Sequence, residues 1–424
     1  MKRVVITGIG AVTPLGLDAA STWASMVAGR SAIGPLDTFD ASTFPVRIAA
    51  QVRGFRPEIT MPTTADRRYL SRAAQFGVAA AVEAVRDAGS GWGGPDPYSR
   101  GVAIGATVGR PPLQEMIDMS WQLASTQQRT LYRQAPGDVL LRNQNVGICA
   151  IAKVADCRGP AISVSTACAG AAHAIGEGYR RIQQGDCTAV LAGGFDSLTT
   201  WLDVLGFSLL GALTDAYNDN PTRASRPFDA HRSGFVLGEG AVVAVLEERD
   251  TALARGADIH AELVGYGSSL NAYRITDSPP DGGGAIHAMR AVLAESALQP
   301  ADVDAVIAHG TGTPGNDLSE TVAIKEVFGS AAGDLLVTSP KSMTGHLTSA
   351  AAGVNLIAAL GALRHQLVPP TVNLDTPDPR LDLDYVPHTA RAADIDAVLV
   401  NAFAFGGSNA SLLVTSAAAP EVSR

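Results

Sequence analysis

Ten short runs rich in β-branched residues recur along the 424-residue chain: RVVITGIG, GVAIGAT, AISVSTA, TAVLAGG, AVVAVLEE, AELVGYGSS, DAVIAHGTG, LLVTSPKS, DAVLVNAFAF and ASLLVTS. Helical periodicity fills the spaces between them, most clearly in RRYLSRAAQFGVAAAVEAVRDAG, AGAAHAIGEGYRRIQQGD, GGGAIHAMRAVLAESALQP, LSETVAIKEVFG and SAAAGVNLIAALGALRHQ. That alternation dictates an α/β fold. Several runs are apolar without a period of two, as strands covered by helices on both faces must be. A charged connector near residues 246–262 separates two stretches of similar βαβ character. The expected organisation is two halves, 1–255 and 256–424, packed as one unit because no Pro/Ser linker divides them. Each half has a strand ending in a turn with a reactive-type side chain before a helix, Cys168 in the first and His346 in the second.

Charge and composition exclude several classes of function. A formal charge of -9 argues against nucleic-acid binding, which needs a net or clustered positive surface. The longest apolar stretch, AAAGVNLIAALGAL, falls short of a membrane span and contains Asn355. The N-terminal VVI is too short for a signal peptide and is followed by Gly and Pro, so it reads as a first strand and turn. Cys149, Cys157, Cys168 and Cys187 form no CxxC pair and have no histidine at zinc-finger spacing, so no metal site is expected. They read as reduced thiols of a cytoplasmic protein. GIGAVTPLG lacks the GxGxxG spacing of a dinucleotide loop.

Cys168 stands where the strand of ISVSTACAGAAHAIG becomes a helix. A helix start offers free N–H groups and partial positive charge, which lower a thiol's pKa and can bind an oxyanion. A lone cysteine is more often an inert core residue, and Cys149, Cys157 and Cys187 keep that reading. Partners change the balance for Cys168. His309 in VIAHGTGTPGND and His346 in SPKSMTGHLTSAAAG both lie just past strands in Gly/Thr turns, where side chains can point into a crevice. The other six histidines sit on helices or polar loops and read as structural or surface residues. Lys341 shares the His346 turn and either orients that histidine or is merely exposed. NAFAFGGSNAS brings backbone close to a ligand through its Gly-Gly turn, or is a simple hairpin.

Together these motifs resemble the thiolase-fold condensing enzymes, specifically type II β-ketoacyl-acyl-carrier-protein synthases and their discrete polyketide-synthase relatives. The ordered set is RVVITGIGAVTPLG, STACAGAAHAIG, ASRPFDAHRSGFVLGEGA, AHGTGTPGND, KSMTGH and NAFAFGGSNAS, covering nearly the whole chain. The resemblance implies an αβαβα layered sandwich of two similar halves and a homodimer or close heterodimer. It also implies a ping-pong decarboxylative Claisen condensation. Cys168 would take an acyl group from a carrier-protein thioester, with its own N–H and that of Phe405 forming the oxyanion hole. His309 and His346 would act as neutral donors to the malonyl thioester carbonyl as CO2 leaves. Lys341 would support that geometry, and Phe405 and Phe235 would line or gate the site. Arg67 and Arg68 would dock the acidic carrier protein, or simply face solvent. No cofactor is implied, since the phosphopantetheine arm arrives on the acyl carrier protein.

The chain also departs from the family pattern. Asn355 stands where these enzymes carry a glutamate that pairs with the lysine, and residues 109–155, which in relatives shape the acyl pocket and dimer interface, match poorly. HGTGTP followed by ND is closer to polyketide synthases than to fatty-acid enzymes. Two other activities fit parts of the pattern: a noncatalytic chain-length-factor-like partner, which would usually lack the cysteine, and a non-decarboxylating acyltransferase.

Overall fold

The computed structural model describes residues 1–61, 63, 67–107, 113–126, 140–141 and 143–417. All ten runs are strands of one mixed sheet. They are β1 (Val4–Val12), β2 (Arg100–Ala106), β3 (Ala161–Val164), β4 (Ala189–Ser197), β5 (Glu239–Glu248), β6 (Ala261–Leu270), β7 (Ala305–Ile307), β8 (Leu336–Thr338), β9 (Ala397–Phe403) and β10 (Ser408–Thr415).

Across the sheet the order is β8-β7-β9-β10-β6-β1-β5-β4-β2-β3. Cut between β6 and β1, it divides into two five-stranded sheets, one per half, with one arrangement used twice: third, second, fourth, fifth, first. The directions repeat as well. In the first half β2 runs parallel to β3 and β4, while β5 is antiparallel to β4 and β1. In the second, β7 runs parallel to β8 and β9, while β10 is antiparallel to β9 and β6. The halves join through Val4, Val5 and Ile6 opposite Leu263, Glu262 and Ala261. Past Ile6 the register of β1 shifts, and β1 pairs with β5 alone.

Six helices cover these sheets. Here α1 (Arg72–Ala88) and α2 (Gln144–Val154) pack outside the first half, and α4 (Gly283–Ser296) and α5 (Pro314–Phe328) outside the second. Between the two sheets lie α3 (Gly170–Gln184) and α6 (Ala351–His365). The result is a layered αβαβα sandwich. Strands buried on both faces explain the apolar runs without alternation: all of β5 except its last residue is buried. The middle core joins Ala171, Ala172 and Ile175 of α3 with Val354, Ala358 and Ala359 of α6 and with Val242, Ala244, Val398 and Val400 of the sheets. Its small side chains let helices and sheets approach closely.

One such close approach seats the start of α3. A Cβ at Gly105 on β2 would stand 2.2 Å from the carbonyl carbon of Gly170 and 2.7 Å from the nitrogen of Ala171. Gly105→Ala therefore forces the helix that begins beside Cys168 off its sheet, at an expected cost of about 3 kcal/mol. Chemical unfolding measures this, and a change below about 0.5 kcal/mol would contradict such tight seating.

Among the described residues no helix is long and apolar enough to cross a membrane. Of the poorly matching stretch 109–155, the helix Leu113–Thr126, residues 140–141 and the run from 143 are described. The remainder lies outside the described residues.

Candidate active site

The two similar halves bring their third strands to matching turns. After β3, Ala167 adopts a left-handed φ of 44° and opens a short 3-10 turn, Ala167–Ala169, that leads into α3. After β8, Thr348 adopts φ 46° and opens the turn Thr348–Ala350, which leads into α6. Cys168 and Ser349 therefore occupy equivalent places, each following the strained residue. His346 lies three positions earlier than its expected correspondence with Cys168. The turns touch: Ser349 Oγ donates to the Ala167 carbonyl at 3.1 Å. Asp196, buried at the end of β4, accepts from Thr107 Oγ1 at 2.6 Å, Thr348 Oγ1 at 2.5 Å and the Ser349 N–H at 3.1 Å. One carboxylate thus binds the second turn to the first sheet.

His309 follows β7, and its position is held by α5. Glu320 accepts the N–H groups of His309 and Gly310, each at 2.8 Å. Asp317, one turn earlier, accepts those of Thr311 and Gly312 at 3.1 and 3.2 Å and that of Phe228 at 2.8 Å. Burial pushes the pKa of both carboxyls up, opposed by these N–H donors. Neither acid was singled out from sequence. The available signal was an Asp and a Glu three apart on a helix directly after a Gly/Thr turn, which puts both on the face that meets the turn.

His346 is held differently. Its N–H donates to the Val236 carbonyl at 2.7 Å, and its own carbonyl accepts from Gly238 at 2.9 Å. The Thr348 N–H donates to Nδ1 at 3.2 Å. A nitrogen that accepts carries no proton, so the neutral imidazole keeps its proton on Nε2. His309 and His346 meet edge to face with centroids 5.3 Å apart. Burial, with Lys341 nearby, holds both pKa values well below the usual histidine range, so both rings are neutral.

Lys341 begins the short helix Lys341–Thr344, and its carbonyl accepts from Ser225 Oγ at 2.7 Å. Among the described residues its buried Nζ has no hydrogen-bond partner. Burial lowers its pKa to about 8, while Glu320, Cys168 and Asp317 pull it upward. Cys168 departs from expectation: burial pushes its thiol up to about 12, although Lys341 and the N–H groups of Phe405 and of Cys168 itself, which point at the sulfur, favour the thiolate. Asp196 adds to the upward shift. The helix start is present, but desolvation outweighs it.

Cys168, His309 and His346 line one cavity of about 210 Å³, together with Phe235, Phe403 and Phe405. Phe235 packs edge to face on His346 at 5.2 Å and lies 6.5 Å from the Phe405 ring. NAFAFGGSNAS is both a hairpin, with Phe403 opposite Asn409, and the wall of this cavity. Its Gly406 and Gly407 take φ of 85°. Lys341 does not line the cavity surface. Arg67 and Arg68 lie near the start of α1. Arg67 is half-buried and donates to the Met61 carbonyl, while Arg68 is exposed over the Tyr69 ring. His173, on α3, is buried and bonds the Tyr266 hydroxyl at 2.7 Å, a structural tie between the halves.

An αβαβα sandwich built from two similar halves, with a cysteine at one central turn and two histidines from the other half, defines a thiolase-fold enzyme. Residues 1–252 match the model of the β-ketoacyl synthase N-terminal domain, and residues 260–375 that of the β-ketoacyl synthase C-terminal domain. The chain is 40% identical over 418 residues to 3-oxoacyl-[acyl-carrier-protein] synthase 2 of Synechocystis sp., covering 97% of both chains. It is 40% identical over 414 residues to the protein of that name from Coxiella burnetii, covering 98% of both. Among solved structures, a β-ketoacyl synthase from Burkholderia phymatum matches with TM-score 0.87 and 34% identity over 98% of this chain and 100% of that one. A type II polyketide ketosynthase in complex with its acyl carrier protein, bound to the hexaketide, matches with TM-score 0.87 and 31% identity over 98% and 99%. The chain belongs to the β-ketoacyl synthase family.

Proposed function

We propose that the protein condenses an acyl group held on Cys168 with malonyl-acyl carrier protein to give a β-ketoacyl-acyl carrier protein. The observation that carries this reading is the convergence of one cysteine, under two backbone N–H groups, with two neutral histidines in a single cavity. In the first step Cys168 Sγ attacks the acyl thioester of the carrier's phosphopantetheine arm. The Cys168 and Phe405 N–H groups receive the oxyanion. The carrier's C–S bond breaks, and its sulfur takes up the proton the thiol gives up.

In the second step the malonyl thioester carbonyl accepts hydrogen bonds from His346 Nε2–H and from His309. The bond to the carboxylate breaks, CO2 leaves, and its electron pair forms an enolate. The enolate carbon attacks the acyl-cysteine carbonyl, and collapse of that adduct expels the Cys168 sulfur. Lys341 is the cation beside this buried anionic chemistry, and its charge opposes that of the enolate. Phe405 and Phe235 gate the cavity.

The 3-oxoacyl-[acyl-carrier-protein] synthase 2 relatives favour acyl and malonyl thioesters on an acyl carrier protein as substrates, in fatty-acid synthesis. The HGTGTPGND motif and the solved neighbours keep a discrete polyketide role in view. The carrier docks through Arg68, the more accessible of the two arginines. A second copy pairs along β3, the sheet's last strand, whose Ala161 and Ser163 are exposed. The setting is cytoplasmic.

The test is CO2 release from malonyl-carrier, with product detection, across pH. Because the folded pKa of Lys341 is lowered to about 8, its charge is present below that value and lost as pH rises through it. Release should fall through this window, and Lys341→Met should flatten the limb. Absence of CO2 at every pH would leave the non-decarboxylating acyltransferase in its place.

A further inference from the structure

We propose that Asn355 is a positioning residue for His309, a role that rests on the condensing reading above. Asn355 lies on α6, fully buried. Its Nδ2 donates to the carbonyl of Ala308, the residue before His309, at 3.0 Å and to the carbonyl of Asn401 at 3.2 Å. Asn401, on β9, turns its own Nδ2 to Glu320 Oε1 at 3.1 Å and accepts from Ser411 Oγ at 2.8 Å. The same Glu320 oxygen accepts the His309 N–H at 2.8 Å. These contacts close a ring through α6, β9 and α5 that grips the backbone on either side of His309, by the preceding carbonyl and by its own N–H.

The ring matters because of how little else holds this imidazole. His346 has its Nδ1 tied by the Thr348 N–H, whereas His309 Nδ1 is buried with no partner among the described residues. The direction of the His309 side chain is therefore set through its backbone. Two carbonyl oxygens converge on position 355, and a neutral NH2 group satisfies both with its two protons. An ionised carboxylate would set its lone pairs against theirs in a buried place. That is the physical reason an amide stands here. Its Oδ1 is buried without a partner among the described residues, so the position is used as a donor, and the unmet acceptor is the cost.

A double-mutant cycle separates positioning from mere packing. Asn355→Ser and the near-isosteric Asn355→Asp are made alone and in a His309→Ala background, and kcat and KM for CO2 release from malonyl-carrier are measured. With His309 present, each variant is expected to lower kcat about tenfold and move KM less than twofold, the scale of a small misplacement of a reacting group. With His309 absent, the same substitutions should cost nothing further, because they act through that residue. Equal losses in both backgrounds would overturn the proposal, as would an Asn355→Asp enzyme with the wild-type kcat. If Asn355→Ser fails to fold by thermal unfolding, Asn355→Asp, which keeps the side-chain volume, carries the test. A wild-type protein that releases no CO2 would refute the condensing reading itself, before any variant is compared.

Discussion

Replacing Cys168 by alanine is expected to abolish acyl loading and lower condensation by at least about four orders of magnitude. Incubated with an acyl-carrier thioester, the wild-type chain should gain one acyl mass, and Cys168→Ala none. The size of the effect follows from the absence of a substitute. Cys168 is the one cysteine lining the cavity among the described residues. Cys149 is exposed, while Cys157 and Cys187 are buried with thiols raised by desolvation. An acyl adduct of equal yield on Cys168→Ala would place the nucleophile elsewhere. Cys168→Ser should load poorly, since its hydroxyl is far harder to ionise under the same two N–H groups.

His346→Ala is expected to retain acyl loading while CO2 release from malonyl-carrier falls about a thousandfold, as loss of one oxyanion donor does in a dry site. The fixed tautomer is the reason. With Nδ1 accepting from the Thr348 N–H, the Nε2 proton would be available to the malonyl carbonyl, and burial, by lowering the ring's pKa, favours that neutral form. His309→Ala should behave alike. Radiolabelled malonyl-carrier makes the measurement direct. CO2 release undiminished in His346→Ala would remove that histidine from the decarboxylation step.

Much of the fold was legible because most of its strands are buried on both faces and so announce themselves as β-branched apolar runs. The helices AASTWASMV at 19–27 and WLDVLGFSL at 201–209 were not foreseen. They are short, and Ser, Thr and aromatic residues blur their period. Cys168, His309 and His346 could be chosen because each ends a strand in a small-residue turn. Glu320, Asp317 and Asp196 could not be told from surface acids, because nothing local reports that a carboxylate is buried against backbone N–H groups. The direction of the Cys168 shift failed for a related reason. A helix start is written locally, whereas the burial that overrides it is made by His309, Phe405 and other residues more than a hundred positions away.

The matched turns at Ala167 and Thr348 give the molecule a division of labour. Two similar elbows face each other, and the first holds a cysteine where the second holds a serine. Ser349, the counterpart of Cys168, acts as a bolt, its hydroxyl locked on the carbonyl of Ala167, the residue before that cysteine. The cavity is in effect a subunit interface fused into one chain: the thiol comes from one half and both histidines from the other. Any change in how the halves meet therefore alters the spacing between the thiol and the two imidazoles.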